Sequence, residues 1–227
     1  MRSSVIVFPG SNCDRDVAVA LEKFQIKNQM VWHDESNLPK SDLVVFPGGF
    51  SYGDYLRTGC IASKSKIIND VLKHASKGGL VLGICNGFQI LTECELLPGV
   101  LMRNKKMNFI CKYTYLISKH ENNWVSKNFV DKVISMPVAH HDGNYYADDK
   151  VIEILNKDNR IAYQYCSDKG IIDDSNNING SINNIAGIFN NKGNVLGMMP
   201  HPERAIDSSL GGEDGINFFK TFFEKLG

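Results

Sequence analysis

Short apolar runs alternate with amphipathic stretches along the first half of the chain. Four apolar runs are typical of strands buried on both faces of a sheet. They are residues 5–8, 30–32, 43–46 and 80–84. Between them, residues 14–24 and 62–77 place apolar side chains on one helical face, and Ser11 or Asn12 is expected to cap the first helix. This alternation predicts a largely parallel sheet with helices on both faces and a site beyond the carboxyl ends of its strands.

The second half of the chain has a different pattern, which predicts shorter antiparallel strands. The strand-like runs are residues 109–117, 133–138, 161–165, 185–189 and 195–198. Residues 173–184 are rich in Asn and Ser and predict an exposed loop, and a last helix is expected from about Gly212 to Leu226. Because no repeat or linker interrupts the chain, we predict one α/β domain over residues 1–227, with a mostly parallel central sheet and an antiparallel extension.

Residues 79–91 join an apolar strand to a helix through a tight turn. They read Gly-Leu-Val-Leu-Gly-Ile-Cys-Asn-Gly-Phe-Gln-Ile-Leu and place Cys85 in a Gly-x-Cys-x-Gly sequence. This is the pattern of a nucleophile elbow with sulfur in place of a hydroxyl. The start of the following helix favours negative charge, and therefore the thiolate. We interpret Cys85 as a nucleophile and expect the amide of Asn86 to donate to a developing oxyanion.

A base for this thiol is expected after the last predicted strand, in His201-Pro202-Glu203. Proline disfavours the helical region for the residue before it, so the tripeptide is predicted to be extended. In an extended chain His201 and Glu203 face the same way, and Glu203 can orient the imidazole toward Cys85. A surface turn is the alternative interpretation.

Pro47-Gly48-Gly49 ends an apolar strand at the same predicted edge of the sheet. Glycine amides after such a strand can approach a substrate carbonyl closely. We therefore expect Gly48 and Gly49 to supply further oxyanion donors, whereas a plain turn would have no such role.

Charge and cysteine content narrow the function classes. Lys plus Arg and Asp plus Glu are 25 each, and no long basic run is present. This argues against nucleic acid or an anionic membrane as the main partner. No apolar run approaches the ~20 residues that span a bilayer, and the first residues do not read as a signal peptide. The six cysteines form no C-x-x-C pair, which favours reduced thiols and a cytoplasmic location.

Several blocks resemble class I (triad) glutamine amidotransferases, namely Gly-Ile-Cys-Asn-Gly-Phe-Gln and a downstream Pro-His-Pro-Glu. Within this class the chain is similar to the glutaminase subunits of phosphoribosylformylglycinamidine synthase. The narrower resemblance rests mainly on residues 8–14, residues 47–55 (Pro-Gly-Gly-Phe-Ser-Tyr-Gly-Asp-Tyr) and residues 193–204. It covers nearly the whole chain and implies a flavodoxin-like class I glutamine amidotransferase fold.

The resemblance implies a glutaminase reaction. Cys85 would attack the side-chain amide of L-glutamine, and His201, oriented by Glu203, would move the proton. Ammonia would leave, a glutamyl thioester would form, and water would release glutamate. The resemblance also implies that Gln89 helps to line the glutamine pocket, beside oxyanion donors near Gly48, Gly49 and Asn86.

The same resemblance implies partners. The ammonia would pass to a separate synthetase subunit, which uses ATP and magnesium to convert formylglycinamide ribonucleotide to the amidine in purine biosynthesis. A third small subunit would complete the assembly. No cofactor or metal is expected in this chain, which lacks a Walker-type loop. We expect the docking face near Arg57, Arg204 and residues 47–55, because they flank the predicted site.

Two departures from the family pattern concern the second half of the chain. His140-His141-Asp142-Gly143 stands where the family commonly has His-Gly-Glu-Gly, and residues 166–176 are longer than usual. A metal site at residues 140–142 is disfavoured, because adjacent side chains of an extended chain point to opposite faces. Cys13 also precedes a helix but lacks the glycine frame, so a packing role is favoured for it.

Two other functions remain open. An α/β cysteine hydrolase of the peptidase-like type would share the elbow, although such enzymes need no His-Pro-Glu on a late strand. A catalytically silent scaffold subunit would bind partners only, and the presence of Cys85, His201 and Glu203 argues against it.

Overall fold

A computed structural model describes residues 1–121 and 129–224. The strands are β1 (Arg2–Val7), β2 (Lys27–Trp32), β3 (Leu43–Phe46), β4 (Leu80–Ile84), β5 (Val100–Met102), β6 (Ile110–Ile117), β7 (Val133–His140), β8 (Asn144–Tyr146), β9 (Ile161–Cys166), β10 (Ile185–Phe189) and β11 (Val195–Met198). The helices are α1 (Asp14–Lys23), α2 (Ile68–Ser76), α3 (Asn86–Glu93), α4 (Asp149–Lys157) and α5 (Asp214–Glu224).

Within the described residues, nine strands form one sheet in the order β2-β1-β3-β4-β11-β10-β9-β6-β7. The five strands from β2 to β11 run parallel, and the remaining four continue the sheet antiparallel. β3 and β11 are buried at every position, as expected of central strands covered on both faces. β7 instead alternates buried and part-exposed residues, which is the pattern of a strand with one covered face. The predicted α/β class, with its antiparallel extension, is therefore confirmed.

Several predicted boundaries were wrong for local reasons. The helix expected over residues 62–77 is a 3-10 turn (Ala62–Lys64) followed by α2, because Ser65 between them has an extended backbone. Neither Ser11 nor Asn12 caps α1, whose cap position is Cys13. The last helix begins at Asp214, after the left-handed Gly211. The predicted end of that helix at Leu226 lies outside the described residues.

The prediction of an exposed loop over residues 173–184 is confirmed for residues 173–175, which are exposed, and was wrong for the second half of the segment. Asn179, Ser181 and Asn184 are all buried there. The Asn179 and Ser181 side chains both donate to the carbonyl of Gly143, and Asn184 donates to the carbonyl of Tyr165. The polar side chains of this segment therefore form hydrogen bonds with buried backbone groups and do not indicate solvent exposure.

The carboxyl ends of β1, β3, β4 and β11 meet at one edge of the parallel half, as neighbours in the sheet. Because these strands run parallel, the segments that follow them all emerge at this edge. The predicted functional residues lie in three of these segments. No helix in the described part of the chain is long and apolar enough to cross a membrane.

Candidate active site

Cys85 lies on a strained turn between β4 and α3. Its backbone has φ 51° and ψ −106°, which L-residues rarely adopt. Its amide donates to the carbonyl of Met198 on the neighbouring strand at 2.8 Å, which ties the turn to β11. The side chain is buried, and Sγ contacts the carbonyl oxygen of Ala139 at 3.6 Å. The strand–turn–helix geometry is that of the predicted elbow.

The two glycines that frame Cys85 allow this close approach of strand and helix. A Cβ on Gly87 would lie 2.0 Å from the carbonyl oxygen of Phe46 on β3. A Cβ on Gly83 would lie 2.7 Å from the backbone of Gly87. Any larger side chain at either position would push α3 away from the sheet and displace the thiol.

His201 and Glu203 form a buried pair beside the elbow. Nδ1 of His201 lies 2.6 Å from Oε1 of Glu203, and both side chains are almost fully inaccessible to solvent. The predicted extended conformation was wrong, because Pro202–Arg204 form a 3-10 turn that begins after His201. The predicted contact between the His201 and Glu203 side chains is nevertheless formed, within this turn.

Charge interactions determine the protonation state of His201. Burial lowers its pKa, but the Glu203 carboxylate and the nearby Cys85 outweigh burial and raise the pKa of His201 to about 10. Its Nε2 atom is buried and has no hydrogen-bond partner among the described residues. A protonated imidazole that is held by a carboxylate through one nitrogen and interacts with Cys85 can pass a proton to a substrate at Cys85.

Of the two glycines after β3, Gly48 lies against this pair. A Cβ on Gly48 would be 2.6 Å from Cε1 of His201, so the imidazole packs directly on the Gly48 backbone. Gly49 has φ +132°, a conformation that favours glycine, and contacts Asn12 and Gly10. The structure therefore brings the predicted oxyanion segment next to His201.

Asn86 and Gln89 lie in the first turn of α3. The Asn86 side chain accepts from the amide of Ser51 (3.2 Å) and donates to Oε1 of Gln89 (2.9 Å). Nε2 of Gln89 donates to the carbonyl of Asp142 at 2.6 Å. The two side chains therefore link residues 47–54 and 140–144 to the elbow helix. Because the side-chain amide of Gln89 already makes both of these hydrogen bonds, a contact with glutamine would have to form in addition to them.

His140 is a buried group near the site, to which the sequence analysis gave no catalytic role. Its Nδ1 lies 3.1 Å from Oδ1 of Asn104, which also accepts from the amide of Gly143. The Asn104 amide nitrogen donates to the carbonyls of Asn108 and His140. Oδ1 is thus the acceptor, so Nδ1 carries the proton and Nε2 is an unprotonated acceptor, buried without a partner among the described residues. Burial and the charge of His201 lower the pKa of His140 to about 3.

His141 and Asp142, where the chain departs from the family pattern, line a cavity of about 730 Å³. Arg103 lies 2.6 Å from Nδ1 of His141 and 3.7 Å from Asp142. Asp54 lines the same cavity, and burial together with the charge of Asp142 raises the pKa of Asp54 to about 6. The cavity is therefore lined by charges of both signs, next to residues 140–144, which Gln89 holds through the carbonyl of Asp142.

Cys13 lies on the other side of the His201–Glu203 pair. Its Sγ, one His201 nitrogen and one Glu203 oxygen all lie within 4.8 Å of one another. The 2.6 Å His201–Glu203 bond leaves no space for an ion between them, and Arg204 places a guanidinium 3.2 Å from Sγ. This donor set does not fit a metal. Burial and Glu203 raise the pKa of Cys13 to about 12, so it is a neutral thiol packed on the pair.

Comparison with known proteins agrees with this arrangement. Residues 1–211 match the CobB/CobQ-like glutamine amidotransferase domain. The chain is 55% identical over 226 residues to phosphoribosylformylglycinamidine synthase subunit PurQ of Pelagibacter ubique, covering 100% of both chains. It is 51% identical over 229 residues to the protein of that name from Zymomonas mobilis, again covering 100% of both.

Solved structures show the same similarity. A chain in the structure of PurLQS from Thermotoga maritima superposes with a TM-score of 0.88 at 41% identity, covering 100% of this chain and 99% of that one. A glutamine amidotransferase from the same organism shares the fold, with a TM-score of 0.59 at 16% identity over 99% of this chain and 81% of that one.

Proposed function

Because this chain belongs to the family of CobB/CobQ-like glutamine amidotransferase domains, we propose that it is the glutaminase subunit of a phosphoribosylformylglycinamidine synthase. It hydrolyses L-glutamine and delivers ammonia to a synthetase in purine biosynthesis. The observation that carries this proposal is the buried His201–Glu203 pair beside Cys85 on its elbow. The full-length identity to PurQ subunits supports the choice among amidotransferases.

The first half of the reaction makes a thioester. Cys85, as a thiolate paired with the protonated His201, bonds through its sulfur to the carboxamide carbon, and the carbonyl π electrons move onto oxygen. When this tetrahedral intermediate collapses, the C–N bond breaks and the nitrogen takes the proton of His201, so ammonia leaves. The Glu203 carboxylate holds the imidazole in place and stabilises its protonated form.

The second half returns the enzyme to its starting state. A water molecule gives a proton to His201 as its oxygen bonds to the thioester carbon, and the C–S bond then breaks. Cys85 is regenerated and glutamate leaves, so glutamine and water become glutamate and ammonia. The amides of Gly48, Gly49 and Asn86 stabilise the oxyanion in both halves, and the unprotonated Nε2 of His140 offers an acceptor for a substrate N–H group.

The chain needs no cofactor for these steps in our proposal, and ATP and magnesium belong to the partner synthetase. The similar chain from Thermotoga maritima was solved as part of PurLQS, and we propose an equivalent assembly with a synthetase and a small third subunit here. The catalytic thiol must stay reduced, so we place the reaction in the cytoplasm.

We propose that the synthetase docks over residues 47–57, at the edge that carries Cys85. Tyr55 and Leu56 are 69% and 78% exposed there, and large exposed apolar side chains mark interaction surfaces. Arg57 is also exposed, although it pairs with Glu93 at 2.6 Å. Arg204 is less available, because it is engaged by Asp16 and Cys13.

Glutamate release from glutamine tests the proposal, with and without the synthetase components, for wild type and for Cys85→Ala and Cys85→Ser. We expect release that requires Cys85, rises with the partners, and is accompanied by a trapped glutamyl thioester. Release that persists in Cys85→Ala would refute the assignment of the nucleophile. Intact partner binding without any release would establish the silent scaffold, and cleavage of peptides instead of glutamine would establish the peptidase-like hydrolase.

A further inference from the structure

The turn that carries Glu203 is held from two sides by the rest of the protein. On one side, the amide of Gly215 in α5 donates to the carbonyl of Ala205 at 2.8 Å. A Cβ on Gly215 would lie 2.0 Å from the carbonyl oxygen of Pro202, so α5 begins directly against the turn. On the other side, the side chain of Arg204 reaches from the turn to α1.

Arg204 makes its contacts with the first turn of α1 through two nitrogens. Nε and Nη2 reach Oδ2 of Asp16 at 3.0 and 2.9 Å, and Nη2 also lies 3.2 Å from Sγ of Cys13. A guanidinium can hold two partners at fixed angles because it is planar and its donors point in set directions. Both charged side chains are about 40% exposed, at 39% and 42%, so the contact is geometrically specific without being a buried core interaction.

This contact is continuous with the catalytic pair. The amide of Arg204 donates to the carbonyl of His201 at 3.3 Å. This bond closes the turn and connects the backbone of Arg204 to that of His201. The amide of Cys13 donates to the carbonyl of Gly48 at 3.3 Å, and Gly48 packs on the imidazole. A displacement of Arg204 from Asp16 would therefore reach the backbone of His201 and, through Cys13, the Gly48 backbone on which its imidazole packs.

We propose that Asp16 and Arg204 are positioning residues for the glutaminase reaction, which hold the turn of Glu203 so that the imidazole of His201 stays aligned with Cys85. This inference rests on the proposed function, since it assumes that His201 moves the proton. Neither residue touches the substrate in this proposal, so their effect falls on the chemical step and not on glutamine binding.

The same arrangement affects the protonation state of His201. The ionisable groups facing His201 are Glu203 in its own turn, Cys85 on the elbow, Cys13 at the start of α1 and His140 at the end of β7. Arg204 interacts with both Asp16 and Glu203. The pKa of His201 is raised by Glu203 and Cys85 and not directly by Asp16 or Arg204, so loss of Asp16 is expected to lower that pKa by loosening the His201–Glu203 contact.

The test compares Asp16→Asn with Asp14→Asn. Both changes remove one negative charge from the first turn of α1, but the side chain of Asp14 accepts from the amide of Arg15 and not from Arg204. In the assembled complex with its synthetase partner, we expect Asp16→Asn to lower kcat for glutamate release by about tenfold to a hundredfold, with KM for glutamine within about twofold. Asp14→Asn is expected to match wild type.

Two further measurements separate a positioning role from a loss of folding. Arg204→Lys retains the charge but cannot reach both partners, so it is expected to lose kcat as Asp16→Asn does. NMR titration of the His201 ring is expected to show a lower pKa in Asp16→Asn than in Asp14→Asn. Equal kcat in all variants, or equal His201 pKa values in the two Asn variants, would overturn the inference. Absence of wild-type glutamate release would instead refute the proposed function, and the NMR comparison would still decide the positioning role.

Discussion

Nδ1 of His201 lies 2.6 Å from Oε1 of Glu203, and both side chains are at most 2% exposed. The remaining carboxylate oxygen, Oε2, is buried without a hydrogen-bond partner among the described residues. His201 is the only salt-bridge partner of Glu203 among the described residues, so the buried carboxylate and the imidazole must act as one unit.

Replacing Glu203 with Gln tests this dependence. The amide keeps the shape but removes the charge that raises the pKa of His201, so the pKa is expected to fall toward its ordinary value. We expect kcat for glutamate release to fall by about 10³ or more, and the pH dependence of kcat to shift to lower pH. An unchanged pH profile would show that Glu203 does not control His201.

Gly48→Ala is expected to displace the imidazole of His201. The added Cβ would lie 2.6 Å from Cε1 and 3.2 Å from Sγ of Cys13, so the ring must move. We expect kcat to fall by about a hundredfold with little change in thermal stability. Gly78→Ala is the control, because an added Cβ there would meet no atom within 4 Å beyond its chain neighbours. It is expected to lose about 1 kcal/mol of stability from its left-handed backbone and no activity.

His140 is expected to make the protein sensitive to acid. Its folded pKa of about 3 lies below the unfolded value of 6.5, so the unfolded state binds the extra proton between these values. Its contribution to stability is complete above pH 6.5 and is lost as the pH falls toward 3. Urea unfolding should show a loss on the order of 2 kcal/mol by pH 5, and His140→Gln should flatten this slope. A matching effect of His120→Gln, at an exposed position, would contradict the assignment.

Asp54→Asn is expected to stabilise the protein at neutral pH. Burial and Asp142 raise the pKa of Asp54 from 3.8 in the unfolded chain to about 6 in the folded protein. The ionised carboxylate therefore lowers the stability of the folded state in full above pH 6, and this loss disappears below pH 3.8, where Asp54 is protonated in both states. Allowing for solvent screening at this part-exposed group, we expect a gain of about 1 kcal/mol at pH 7.5 and none at pH 3.5. Asparagine also tolerates the left-handed backbone of this position, at φ 56°. Exposed Asp168→Asn is the control, and a gain at both pH values would refute the electrostatic cause.

Arg57→Glu is expected to weaken docking of the synthetase. Arg57 is 61% exposed beside Tyr55 and Leu56, and reversing a charge at the rim of an interface mainly slows association. We expect about a tenfold loss of affinity by surface plasmon resonance. Lys157→Glu, at the exposed end of α4, is expected to bind as wild type. Unchanged affinity of Arg57→Glu would remove this face from the proposed interface.

The elements that could be predicted from the sequence are those with strong local patterns. The buried parallel strands and the elbow at Cys85 follow from apolar runs and glycine spacing, which record local burial and turn geometry. The segment around Asn179 could not be predicted in this way, because its polar residues bond to Gly143, which is distant along the chain. The break at Ser65 carries no Gly or Pro signal in the sequence, and the helix was therefore predicted to continue.

The sequence by itself determined the fold class, the elbow and the identity of the Cys85, His201 and Glu203 candidates, because motif order and residue chemistry are local properties. Only the tertiary structure decided how these groups meet. Three contacts join segments that are far apart in the chain: Gly48 packs on His201, His140 bonds to Asn104, and Arg204 binds Asp16. The second of these contacts leaves Nε2 of His140 unprotonated. The alternation of strands and helices predicted that these segments emerge at one edge of the sheet. It did not predict the contacts themselves, because they depend on how side chains from different segments pack together at that edge.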